Sequence, residues 1–292
     1  MSQNPLDQIT PPTAAASPVQ VAAQARRKAS SAAPAPRQTR RPTGMPTWPL
    51  LLLAGREKAG KSYQAAKASA SDLIGRTLWI GFGEKDPDEY GAIPGADFEI
   101  VPHDGTLSDA LEAVRWAVSE PRVDGKPTLI VFDSATVYWE TLRDKATWMA
   151  MQRGSINSKT KEPIVGTDLW NSVTQDWNLV VRALKKHDGP TIITARLDTV
   201  TVMDDAGKPT KNREEKIKSQ KALPYDVDAI IEMPERGMAT LSGVRSVIYT
   251  IPERTTIEKF DEKGIDWLWR ALGLDKAQTA AATHTDPAPV DE

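Results

Sequence analysis

The chain has 292 residues, of which 40% are hydrophobic and 26% charged, with a formal net charge of −2. That is room for one sizeable α/β domain with appendages, and the balance is that of a soluble globular protein rather than a fibrous or membrane one. The absence of cysteine excludes disulfides, thiolate metal sites and cysteine nucleophiles, fits a reducing cytoplasm, and with only three histidines, His103, His187 and His284, argues against a histidine metal site.

Residues 1–45 are dominated by Ala, Pro, Ser and Gln and hold almost no large apolar side chain, so they are expected to be disordered. They carry Arg26, Arg27, Lys28, Arg37, Arg40 and Arg41 against Asp7 alone. Such a tail suits either a nucleic-acid partner or a solvated extension. The opening MSQNPLDQITPP lacks the basic start and apolar stretch of a secretory signal. The apolar run Leu50–Ala54 is far shorter than the roughly 18 residues of a membrane span, so no membrane partner is expected.

From there, short apolar runs alternate with segments of helical period, the pattern of a parallel sheet flanked by helices. Strands are predicted over Trp48–Ala54, Thr77–Phe82, Phe98–Val101, Thr128–Asp133 and Thr191–Ala195, and helices over Lys61–Leu73, Leu107–Ser119 and Leu169–Lys186. The last helix shows one stripe of Leu169, Trp170, Val173, Trp177, Val180, Val181 and Leu184 at spacings of three and four. Beyond Ala195, strands Thr199–Met203, Ala229–Met233 and Val244–Ile251, separated by a turn at 204–207 and a charged stretch to Lys221, read as antiparallel. One folded domain, 46–275, is expected, followed by a second disordered tail, 276–292, rich in Ala, Thr, Pro and Asp.

Gly55-Arg56-Glu57-Lys58-Ala59-Gly60-Lys61-Ser62 fits G-x-x-x-x-G-K-[ST] and stands between an apolar strand and a helix, the context a P-loop needs. Glycines let the backbone wrap phosphates closely, and the N–H groups and the helix N-terminus supply positive potential. Residues Gly55 to Tyr63 are therefore assigned to the nucleotide, Lys61 to its β- and γ-phosphates, and the Ser62 hydroxyl to Mg²⁺. ATP and Mg²⁺ are the implied ligands. Leu129-Ile130-Val131-Phe132-Asp133 ends a buried strand in an acid, which places Asp133 either in the Mg²⁺ shell or at a helix N-cap. Ser134 follows it, so either the group that activates water comes from elsewhere or the chain does not hydrolyse ATP. Glu84, at the end of Trp79-Ile80-Gly81-Phe82-Gly83-Glu84, is either that catalytic carboxylate or an exposed loop residue.

These features together resemble RecA-type recombinase ATPases, and more specifically the phage-encoded single-strand annealing ATPases of the Sak type, over about Trp48–Leu274. The resemblance rests on the P-loop with Glu57 at its third position, on Glu84 after the second strand, and on Asp86-Pro87 and Tyr90 as adenine-side contacts, although their spacing differs. It implies a RecA-like core, ATP hydrolysis stimulated by DNA, and a homo-oligomer with ATP at subunit junctions. It further implies single-stranded DNA as partner, with phage or host recombination or replication proteins, in a bacterial cytoplasm. A polar sensor is expected at the end of the fifth strand, where this chain offers Thr194 or Arg196.

DNA contacts are then expected from two loops. The first holds Arg153, Lys159 and Lys161 near Trp148 and Trp170; the second, 204–221, holds Lys208, Lys211, Arg213, Lys216, Lys218 and Lys221 among four acids. Aromatic rings beside cations suit single strands, while a mixed-charge segment is also what a solvated surface looks like. Two further readings stay open: a small-molecule P-loop kinase with 196–223 as its lid, and a helicase-loader-like ATP switch with little turnover.

Overall fold

The computed structural model describes residues 39–204, 207–251, 253–276, 279–281 and 283–286. The chain divides into Met1–Thr43 and Gly44–Glu292. Residues 1–38 of the expected basic tail lie outside the described residues, and 39–43 carry neither helix nor strand. Parts of 276–292 also lie outside; the described ones form no helix or strand, and Ala280 N–H donates to Pro46 O at 3.0 Å.

The second unit is a mixed sheet between two helical layers. Its strands are β1 (Leu50–Gly55), β2 (Arg76–Gly81), β3 (Glu99–Ile100), β4 (Thr128–Asp133), β5 (Thr191–Met203), β6 (Pro209–Lys218), β7 (Ala229–Glu235), β8 (Met238–Val244) and β9 (Thr255–Ile257). They lie in the order β3-β2-β4-β5-β1-β7-β8-β9, with β6 paired to β5. The pairs from β3 to β7 along that path are parallel, and β5–β6, β7–β8 and β8–β9 are antiparallel.

Period-two alternation on the central strands divides the core. Leu50, Leu52, Leu78, Ile80, Ile130 and Phe132 face one side, under α2 (Leu107–Ser119), α3 (Ala135–Gln152) and α4 (Thr167–Lys185). Leu51, Leu53, Trp79, Leu129 and Val131 face the other. That side holds α1 (Lys61–Ala68), α6 (Phe260–Lys263) and α7 (Asp266–Ala271), whereas Leu223 of the short α5 (Leu223–Asp226) packs in the first core. A strand buried on both faces reads as a continuous apolar run, which is why β1 and β4 stand out in the sequence.

Several elements differ from the sequence expectation. The helix after the P-loop stops at Ala68 rather than Leu73, because the Ser69 hydroxyl donates to Ala66 O (2.6 Å) and accepts from Asp97 N–H (3.0 Å), turning the chain out of helix. Helix α3 is unforeseen: much of its buried face is small, Ala135, Thr136, Ala146 and Ala150, so it lacks a strong apolar stripe. The strand expected at Val244–Ile251 is not formed: β8 ends at Val244, and the Ser246 hydroxyl accepts from the N–H groups of Ile248 and Tyr249 and closes a turn. The fifth strand continues past Ala195 to Met203, and much of the charged stretch taken for a loop is strand β6. The two form an exposed ribbon, with Arg196 opposite Lys218 and Thr201 opposite Arg213.

Candidate nucleotide site

Sheet order brings the motif residues together. Strand β5 lies between β1 and β4, so its Thr194–Arg196 stretch enters the gap between the P-loop and Asp133. Parallel register sets Leu53 beside Thr194, Gly55 beside Arg196, and Gly81 beside Asp133. Thr194, Arg196, Asp133 and the residues after Gly81 therefore emerge at one edge, the edge where open α/β sheets bind ligands.

The P-loop is built closely against β7. Arg56 N–H donates to Met233 O at 3.1 Å, and a Cβ on Gly55 would stand 2.9 Å from that same oxygen and 3.1 Å from Lys61 Cγ. Only glycine fits there. Gly60 takes φ +94°, a conformation that costs it nothing. Lys61 Nζ donates to Gly55 O and Arg56 O, each at 3.0 Å, folding its ammonium back into the loop. Burial lowers its pKa from the usual lysine value, against the opposing charges of Asp133 and Glu84.

Asp133 is 5% exposed. Ser62 Oγ donates to its Oδ2 at 2.8 Å, and Thr194 Oγ1 donates to its Oδ1. Burial raises its pKa above the usual carboxylate value, and the hydrogen bonds from Thr194 and Ser62 oppose the shift. Of the two roles left open for this residue, the N-cap falls to its neighbour: Ser134 caps α3, its side chain accepting from Val137 N–H at 3.3 Å. The hard oxygen pair of Asp133 and Ser62 suits Mg²⁺, which takes one or two protein oxygens and completes its shell with phosphate and water. No cluster of three or more His, Cys, Asp or Glu able to hold a metal occurs among the described residues.

Glu84 Oε1 accepts from Arg196 Nη2 at 2.7 Å and from Ser134 Oγ at 3.1 Å. The pairing with Glu84 raises the Arg196 pKa further. Together with Glu57, Lys58, Gly60, Lys61, Ser62, Tyr63, Tyr90, Asp133 and Arg196, Glu84 lines a cleft of about 630 Å³. Asp86 and Pro87 are not in that lining; Tyr90 is, its ring edge-on to Tyr63 at 6.4 Å, and burial raises its pKa. Arg236 also lines the cleft, a residue that nothing in the local sequence marks out. Arg56 turns away, its guanidinium 2.5 Å from Glu215 on β6. Ala59 is buried beneath the loop.

The basic residues assigned to DNA lie elsewhere. Arg153 pairs with Asp168, and Lys159 and Lys161 sit in a small hairpin closed by the Ile156–Pro163 bridge. Trp148 is 60% exposed, whereas Trp170 packs partly on the core. On the ribbon, Lys216 pairs with Glu214 (2.6 Å) and Lys218 with Glu140 (2.8 Å). Lys208, Lys211 and Arg213 are exposed and have no ion-pair partner among the described residues; Lys221 lies just beyond β6 and is exposed. No helix among the described residues is long and apolar enough to cross a membrane.

No curated protein matches this sequence. Among solved structures the chain is similar to the RadB recombinase, at 14% identity over 76% of this chain and 91% of that one, with a TM-score of 0.43. It is similar to a second solved ATPase domain at 13% identity, covering 84% of this chain and 95% of that one, with a TM-score of 0.38. It is similar to an ATPase of the type III secretion system of pathogenic bacteria at 15% identity, covering 63% and 50%, with a TM-score of 0.37. The family model described as AAA domain matches residues 49–259, from the first strand through the P-loop, Asp133 and the C-terminal strands. With its P-loop cleft on a mostly parallel sheet, the chain belongs to this AAA-domain family.

Proposed function

We propose that this protein hydrolyses ATP with Glu84 as the base and couples turnover to single-stranded DNA held along the β5–β6 ribbon, in recombination or annealing. One observation carries the reading: Lys61, Ser62, Asp133 and Glu84, from three separate strand ends, line one cleft. Lys61 exchanges its two loop carbonyls for the β- and γ-phosphates. Ser62 and Asp133 would hold Mg²⁺, which would neutralise phosphate charge. Glu84 accepts a proton from water as that oxygen bonds to the γ-phosphorus, and ADP departs with the electrons of the broken P–O bond. Arg196 and Ser134 orient the Glu84 carboxylate.

The DNA part is supported by the placement of Lys208, Lys211 and Arg213 on a ribbon whose root, at Arg196, lines the cleft. A homo-oligomer with ATP at subunit junctions accompanies this reading. The deciding experiment is the steady-state ATPase rate with and without single-stranded DNA. Stimulation supports the reading; turnover that is indifferent to DNA removes the coupling. A second reading, an ATP switch with little hydrolysis, is favoured by the pairing of Glu84 with Arg196, and tight ATP binding with negligible turnover in either condition selects it.

A further inference from the structure

Strand β7 runs parallel to β1, with Met233 beside Gly55, so it leaves the sheet at the P-loop edge. It then reverses at once: Glu235 pairs with Met238, and Gly237 takes φ +80° between them. The residue at the apex is Arg236, whose guanidinium lies 5.7 Å from the Tyr63 ring centroid. Tyr63 follows Ser62 in the first turn of α1, and its ring meets Tyr90 edge-on. Arg236, Tyr63 and Tyr90 all line the cleft.

Arg236 is exposed and has no carboxylate within ion-pair distance among the described residues. Lys61 and Arg196 stand with Asp133 and Glu84, whereas this guanidinium stands over the Tyr63 ring. A planar, weakly hydrated cation against a π surface is the arrangement that accepts a further flat ring.

We propose that Arg236 stacks on the base of the bound nucleoside triphosphate, with the guanidinium face turned away from the Tyr63 ring. The proposal rests on the ATP reading above. Stacking addresses the face of the ring and not its edge, so the clamp takes any nucleobase and contributes affinity rather than base identity.

The test is calorimetric titration of the full chain, wild type, Arg236→Ala and Arg236→Lys, with ATP and with inorganic tripolyphosphate, each with Mg²⁺. Arg236→Ala is expected to weaken ATP binding about tenfold and leave tripolyphosphate binding unchanged, which also shows that the P-loop remains folded. Arg236→Lys, which keeps the charge and loses the plane, is expected to recover only a small part of the loss. Wild-type ATP affinity in Arg236→Ala overturns the proposal, as does an equal loss toward tripolyphosphate, which makes Arg236 a phosphate contact. A wild-type protein that binds neither ligand overturns the ATP reading and this inference together.

Discussion

Arg196 and Glu84 meet at 2.7 Å although 112 residues separate them, and the contact joins the strand that becomes the ribbon to the carboxylate proposed to activate water. With Glu84 in that role, Glu84→Gln keeps ATP binding and slows hydrolysis by roughly 10²- to 10⁴-fold. Single-turnover kinetics beside equilibrium binding separate the two. A Glu84→Gln protein with wild-type turnover places the base elsewhere.

Lys61→Ala is expected to abolish tight ATP binding, since it removes the cation facing the terminal phosphates. It is not expected to lower the melting temperature of the nucleotide-free protein. Burial lowers the pKa of Lys61, so the charged side chain is more costly folded than unfolded. Calorimetry and thermal unfolding check the two halves, and unchanged ATP affinity removes the P-loop from the mechanism.

Asp133 gives a pH dependence of definite sign. Its folded pKa is raised by burial, so between the ordinary carboxylate value and the raised one the folded state binds more protons than the unfolded. Stability of the nucleotide-free protein falls as pH rises through that window. Asp133→Asn has no such proton to lose, so it is expected to be more stable than wild type at neutral pH, with the difference shrinking on acidification. The same variant loses the Mg²⁺-dependent part of ATP binding. Parallel melting curves from about pH 4 to about pH 8 without nucleotide decide the matter.

Much of this chemistry is legible in the sequence because it is local. The P-loop is eight consecutive residues, and Asp133 ends an apolar run that only a doubly buried strand explains. What is hidden depends on strand order. Nothing in 191–196 says that β5 enters between β1 and β4, so the contacts of Thr194 with Asp133 and of Arg196 with Glu84 appear only in the fold. Arg236 is hidden for the same reason. The ribbon escapes notice for another: β6 carries charges on both faces, since it is held by its ladder to β5 rather than by burial, and without apolar alternation it looks like a loop.

Gly55→Ala tests the fit of the loop. The added methyl has 2.9 Å to Met233 O, a backbone atom tied to Arg56 N–H, so relief requires β7 or the P-loop to shift. A loss of about 1–3 kcal/mol in unfolding free energy is expected, with weakened ATP binding. Denaturant melts that superimpose on wild type mean the loop has slack.

For the ribbon, Lys208, Lys211 and Arg213 are the informative cations, because Lys216 and Lys218 are already engaged by carboxylates. Replacing the three with Ala is expected to weaken single-stranded DNA binding about equally across sequences, since phosphates carry no sequence information. The slope of log K against log salt flattens by about 2, from roughly 0.7 per contact. A triple variant with wild-type slope returns the DNA site to the 153–166 hairpin or the basic tail.

Strand β5 is continuous from Thr191 to Met203, and the span beyond Arg196 extends about 20 Å at a strand's rise per residue. Cross-strand hydrogen bonds to β6 make this span a stiff two-ply beam rather than a string. Three of the contacts that bolt its root are Arg196 to Glu84, the Thr136 hydroxyl to Lys218 O, and Glu215 to Arg56 of the P-loop. A sideways load at the far end acts on those bolts with the whole beam as its moment arm, and two of the three join the beam to residues of the cleft loops.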